Sequence, residues 1–143
     1  MGDNMNEYID ELFELASKAE SIGDIPIGAI VVKNNTIIGR GYNNRIITND
    51  PTGHAEVNAI KEACAYISDW RLNDCDLYVT LEPCDMCLEI IKESRINNVY
   101  YLLENKEKHK YNRTNVSVLN KDDNIRLKYK QKLSDFFNKN LNR

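Results

Sequence analysis

Leu77-Tyr78-Val79-Thr80-Leu81-Glu82-Pro83-Cys84-Asp85-Met86-Cys87-Leu88-Glu89-Ile90-Ile91 sets the architecture of this chain. Its first five residues are rich in apolar, aromatic and β-branched types and read as a short buried strand. Pro83 interrupts that pattern. From Cys84 the apolar spacing at Leu88, Ile90 and Ile91 reads as a helix reaching about Ser94. Val99–Leu103 then reads as another strand. Strand, helix and strand in succession predict a parallel pair joined by a helical crossover.

Upstream, residues 5–21 read as an amphipathic helix with Ile9, Leu12, Phe13, Ala16 and Ala19 on one face, ended by Gly23 and Pro26. Ile27–Val32 and Thr36–Ile38 make a hairpin about Asn34-Asn35. Asn44–Gly53 reads as a polar loop, and His54–Tyr66 as a helix. Downstream, Glu104–Asn115 reads as a charged loop, with a fifth strand near Val116–Leu119. In the last segment Ile125, Leu127 and Tyr129 alternate like a strand, whereas Tyr129, Leu133, Phe136 and Phe137 fit a helix, and one terminal helix is the preferred reading. The order predicts a layered α/β domain occupying residues 1–143 as one unit, with no internal repeat or linker.

Hydrophobic residues make up 42% of the chain, which excludes a disordered polyelectrolyte. No apolar run approaches the roughly 18–20 residues that cross a bilayer. The opening MGDNMNEYIDELF carries acids where a secretory leader carries a basic segment. A cytoplasmic protein without membrane contact is therefore expected, and in that compartment Cys64, Cys75, Cys84 and Cys87 point to metal binding rather than disulfides. Charge is unevenly spread. Up to Leu103 there are 8 Lys/Arg against 17 Asp/Glu, and beyond it 11 against 5. A basic final third on an acidic body fits either a polyanion contact at one end or a solvated lysine-rich tail.

Two segments carry chemistry, His54-Ala55-Glu56 and Pro83-Cys84-Asp85-Met86-Cys87, each opening a predicted helix. Zinc takes nitrogen and thiolate ligands in a tetrahedron. Cys84 and Cys87, two residues apart at a helix start, can place both sulfurs on one ion, where the helix N-terminus favours thiolates. His54 supplies a third ligand. Three protein ligands and one open position describe a catalytic site, where zinc lowers the pKa of bound water toward ~7. Glu56, two residues after His54, can reach that water without binding the metal and act as a proton shuttle. Each segment alone has plainer uses: His-Ala-Glu can cap a helix, and Cys-x-x-Cys can be a redox pair or half of a zinc finger. Cys64 and Cys75 read as core residues.

The paired motifs are those of zinc nucleobase deaminases. The wider match resembles the bacterial tRNA-specific adenosine deaminases, through Pro26-Ile-Gly-Ala29, Asn49-Asp-Pro-Thr52, Val79-Thr-Leu-Glu-Pro-Cys84, Ser94-Arg-Ile96 and Leu133-Ser-Asp-Phe-Phe137. That resemblance implies a three-layer α/β/α cytidine-deaminase-like fold with a mixed five-stranded sheet, and a homodimer. It implies one Zn²⁺ per chain on His54, Cys84 and Cys87, with Glu56 as catalytic proton shuttle. Substrate contacts are expected from Asn43, Pro26 and Leu81, and the implied reaction is hydrolytic conversion of adenosine to inosine in a tRNA anticodon loop. The chain departs from the family pattern at Gly53, where Ala is usual, and at Asn58, which gives a pattern also seen in small-molecule deaminases. It departs again at 104–113, which replaces a Lys-Thr-Gly-rich loop. In that replacement Lys106, Lys108, Lys110, Tyr111 and Arg113, with Lys128 and Lys132 of the last helix, are candidate nucleic-acid contacts. A deaminase of a free base, nucleoside or nucleotide, and a non-catalytic zinc-binding module, are the alternatives.

The three-ligand reading predicts about one zinc per chain by elemental analysis, lost on Cys84→Ala or Cys87→Ala, since each removes a thiolate. Retention of full zinc by either variant would contradict it.

Overall fold

The computed structural model describes residues 2–106, 113–119 and 122–141. Helix α1 (Gly2–Ser21) leads into strand β1 (Gly28–Lys33), which turns at Asn34-Asn35 into β2 (Thr36–Tyr42). Both turn residues take positive φ, a conformation that Asn tolerates well. A single helical turn, α2 (Arg45–Thr48), precedes α3 (Ala55–Ile67), and β3 (Cys75–Leu81), α4 (Asp85–Glu93) and β4 (Asn98–Leu103) follow. A short β5 (Val116–Val118) and the long α5 (Asp123–Leu141) complete the described chain.

The five strands form one mixed sheet in the order β2-β1-β3-β4-β5. β1 runs antiparallel to both β2 and β3, whereas β3, β4 and β5 are parallel to one another. The sheet's alternation divides the core between two faces. Ala29, Val31, Leu77, Val79 and Val99 pack with Ala55, Ala59, Ile60 and Ala63 of α3 and Ile91 of α4. Ile30, Val32 and Tyr78 pack on the opposite side with Tyr8, Leu12 and Leu15 of α1. The α5 residue Tyr129 is fully buried, and its hydroxyl donates to the Pro26 carbonyl at 2.9 Å. The result is the expected α/β fold with a five-stranded mixed sheet between helices.

Two elements differ from expectation. Strand β2 continues to Tyr42, beyond Ile38, through Gly39-Arg-Gly41. Those glycines allow α3 to lie directly on the strand: a Cβ on Gly41 would drive into the Ala55 carbonyl oxygen, and one on Gly39 into that of Ala59. Within the polar loop, residues 45–48 close a helical turn because Asp24, far away in sequence, accepts the Ile46 N–H at 3.1 Å. No helix among the described residues is long and apolar enough to cross a membrane.

Gly41→Ala is expected to destabilise the protein by about 1–3 kcal/mol, the usual cost of overpacking. The measurement is the urea midpoint at unchanged m-value, and an unchanged midpoint would mean that α3 can move away from β2 freely.

Candidate metal centre and active site

Strand β3 ends at Leu81, and Glu82-Pro83 turns the chain so that Cys84 sits in extended backbone at the N-cap of α4. Cys87 falls in the first turn of that helix. His54 takes the matching position at the N-cap of α3, also extended. The His54 side chain makes no capping bond to its own helix, so the simple capping role is not the one it adopts. The side chains meet each other instead. The ligand atoms of His54, Cys84 and Cys87 all lie within 4.8 Å of one another, and His54 Nδ1 is 3.4 Å from Cys87 Sγ. Tetrahedral zinc with its usual bond lengths requires ligand separations of roughly 3.6 Å, so the cluster fits the ion. Among the described residues no other His, Cys, Asp or Glu joins this group. Cys75 is buried in the core and Cys64 is half-buried against it, as expected from sequence.

The electrostatics suit a cation. Hydrogen bonds from Cys87 and His54 lower the Cys84 thiol to about 3. Cys87 is pushed up, first by its hydrogen bond to Cys84 and then by burial. His54 is raised by its bond to Cys84. One thiolate thus holds the protons of its two neighbours, and a divalent ion would displace them. Glu56, in the first turn of α3, is only 4% exposed. Burial raises its carboxyl to about 7, against opposing effects that include a hydrogen bond from Cys87. A carboxyl poised near neutrality suits a group that both takes and returns a proton.

These groups face a cavity of about 140 Å³, lined by Ile25, Ile27, Asn43, Arg45, His54, Glu56, Leu81, Glu82, Cys84 and Asn105. Of the expected substrate contacts, Asn43 and Leu81 line it. Asn43 also serves the fold, because its Oδ1 accepts the Ala55 N–H at 2.8 Å. Pro26 does not line the cavity; its neighbours Ile25 and Ile27 do, and the Pro26 carbonyl holds Tyr129. Arg45, Glu82 and Asn105 have no motif spacing that would single them out, since the fold brings them together from three separate loops.

The candidate nucleic-acid residues are placed unevenly. Lys106 is exposed beside the cavity region, while Lys108, Lys110 and Tyr111 lie outside the described residues. Arg113 reaches Asp85 at 2.9 Å, the Pro83 carbonyl at 2.7 Å and Glu82 at 3.4 Å, and so braces the segment that carries Cys84. On α5, Lys132 pairs with Glu20 at 2.8 Å and Lys128 sits over the Phe13 ring. Two departures from the family pattern have one structural cause. Asn58 Nδ2 donates to Asn44 Oδ1 at 3.0 Å, and that oxygen occupies the space a Cβ on residue 53 would need. Gly53 and Asn58 are therefore partners in packing.

A layered α/β fold with a His-Cys-Cys cluster beside a buried glutamate defines a zinc-binding enzyme class. Residues 3–103 match the family described as the cytidine and deoxycytidylate deaminase zinc-binding region, and the chain belongs to that family. It is 45% identical over 97 residues to a tRNA-specific adenosine deaminase of Buchnera aphidicola subsp. Baizongia pistaciae, covering 68% of this chain and 60% of the relative. It is also 48% identical over 79 residues to a guanine deaminase of Bacillus subtilis, covering 55% and 51%. The chain thus spans about half to three-fifths of the length of these curated relatives. A solved structure from work on A-to-I editing by tRNA:A34 deaminases superposes with a TM-score of 0.70 at 36% identity, over 73% of this chain and 80% of that one.

Since Glu56 stands outside the ligand cluster, Glu56→Gln is expected to keep the zinc content of the parent protein. Loss of metal from that variant would make Glu56 a ligand or a support for one.

Proposed function

We propose that the protein is a zinc-dependent hydrolase that deaminates adenosine to inosine at the wobble position of tRNA, acting as a homodimer with one zinc per chain. The observation that carries the proposal is the buried Glu56 facing the same small cavity as the His54-Cys84-Cys87 cluster. Zinc held there supplies the Lewis acid that activates water at neutral pH. Glu56 would accept a proton from the attacking water and deliver it to the purine ring nitrogen as oxygen adds to the amine-bearing carbon. The proton of the newly added hydroxyl, passed through the same carboxyl to the amino group, would let that group leave as ammonia, so that adenosine and water yield inosine and ammonia. The Asn43 amide and the Leu81 side chain orient the ring.

The RNA half of the proposal draws support from the relatives and from a groove. Ile25, Leu81 and Asn105, which line the cavity, also line a neighbouring groove of about 370 Å³ with Lys106, Lys130 and Phe137. Phe137 is 45% exposed. A groove that combines lysines with an open aromatic ring suits a single strand, whose bases stack on such rings for ~1–3 kcal/mol each. An anticodon loop offers its target already unpaired, which lowers the cost of entry. In this reading Lys106, with Lys108, Lys110 and Tyr111, contacts the RNA. The guanine deaminase relative favours a second reading, deamination of a free purine base, which the cavity volume also suits.

Purified zinc-loaded protein is expected to form inosine at the wobble position of an anticodon stem-loop, with Glu56→Gln slower by ~10²–10⁴-fold. Product and ammonia should be measured beside guanine, cytosine, adenosine and cytidine. Efficient turnover of a free base, with none on RNA, would assign the protein to the second reading.

A further inference from the structure

Among the described residues, Arg45 is the only lysine or arginine that lines the cavity. Its side chain keeps 35% exposure. One guanidinium nitrogen lies 3.3 Å from Asp24, a fully buried carboxylate. Asp24 also accepts the Ile25 N–H at 2.8 Å and the Ile46 N–H at 3.1 Å. Two backbone donors therefore satisfy much of Asp24 without the arginine, and 3.3 Å is long for a charge-assisted bond. Among the described residues, Asp24 is the side chain that holds the Arg45 guanidinium, and the buried Nε–H finds no acceptor. A guanidinium held by one edge presents the rest of its fork to a planar or tetrahedral anion.

The cavity itself argues for where that anion would come from. At about 140 Å³ it is well below the size of pockets that enclose whole drug-sized ligands. It accepts a nucleobase, and the sugar and its phosphates must stay at the mouth. Outside the metal cluster and the Glu56 beside it, the charged side chains on the cavity wall among the described residues are Arg45 and Glu82, and Arg113 pairs with Glu82. Arg45 is therefore the wall's partner for a phosphate at the mouth.

We infer that Arg45 is a substrate-binding residue that takes a phosphate adjoining the target nucleotide, so that the site favours a nucleotide within a strand over a free base or nucleoside. This inference rests on the reading of the substrate as RNA. Arg45 acts on binding, because it holds the backbone of the substrate and not the atoms that react.

The test combines a protein change with a substrate change. Stem-loops are prepared with ordinary phosphates, or with a neutral methylphosphonate on one or the other side of the target nucleotide. With the ordinary stem-loop, Arg45→Gln should raise KM roughly 10- to 100-fold with kcat little changed. Arg45→Lys, which keeps both the charge and a partner for Asp24, should recover part of that loss. One of the two methylphosphonates should impose a similar rise in KM on the parent protein and no further rise on Arg45→Gln, because the contact is already gone. Additive losses, or an unchanged KM in Arg45→Gln, would overturn the assignment of Arg45 while leaving the RNA substrate intact. Absence of any turnover of the ordinary stem-loop by the parent protein would overturn the RNA reading and this inference together. The methylphosphonate arm requires no variant, so a misfolded Arg45→Gln does not spare the idea.

Discussion

The close approach of α3 to β2 is the constraint on which the rest of the site depends. Gly39 and Gly41 remove the side chains that would hold the helix off the strand, and Ala55, Ala59 and Ala63 complete a contact of small residues. Helix α3 is thereby fixed in height above the sheet. Its first residue is anchored again by Asn43, whose side chain accepts the Ala55 N–H. The start of α3 then has little freedom, and His54 and Glu56 inherit that precision. The cysteines are placed independently, by the parallel β3-α4-β4 crossover and by Arg113, which clasps Glu82, Pro83 and Asp85. Two helix N-termini meet at one end of the sheet, each delivered by its own set of contacts.

That meeting concentrates charge. The Cys84 thiolate, the buried Glu56 and Glu82 share a small volume, and among the described residues His54, Arg45, Arg113 and the two helix N-termini oppose them. The Glu56 carboxyl is raised chiefly by desolvation, with the Cys84 thiolate adding to it and His54 opposing. A zinc ion bound to the cluster offsets much of the negative charge, so metal affinity and folding free energy are linked in this protein.

The regular elements were legible because their patterns are local. The alternation of Leu77–Leu81 and the apolar spacing after Cys84 specify their own conformations, and β5 and α5 fall where Val116–Leu119 and the Tyr129-Leu133-Phe136 spacing put them. The metal ligands were legible because zinc demands particular residue types. What escaped was whatever depends on a distant partner. The helical turn at 45–48 owes itself to Asp24, some twenty residues away, and nothing in Arg45-Ile-Ile-Thr48 announces it. The extension of β2 through Gly39 and Gly41 reflects packing against α3. Asn58 looked like a substrate marker and is a packing partner of Asn44 and Gly53. Arg113 looked like one of a row of surface cations, yet its charge is directed inward at Asp85 and Glu82.

The bond from Tyr129 to the Pro26 carbonyl spans 103 residues. Every zinc ligand lies within the first 87 residues, as does the glycine contact that positions α3. The contacts that place these ligands, the β3-α4-β4 crossover and the clasp of Arg113, all precede α5 in the chain. The segment at 25–27, one wall of the cavity, is held by the Asn43 N–H on the Ile27 carbonyl and again, at Pro26, by the buried Tyr129 of the last helix. The metal ligands are set by contacts of moderate sequence separation, whereas one cavity wall also depends on a contact of long separation, the kind that closes at the greatest entropic cost.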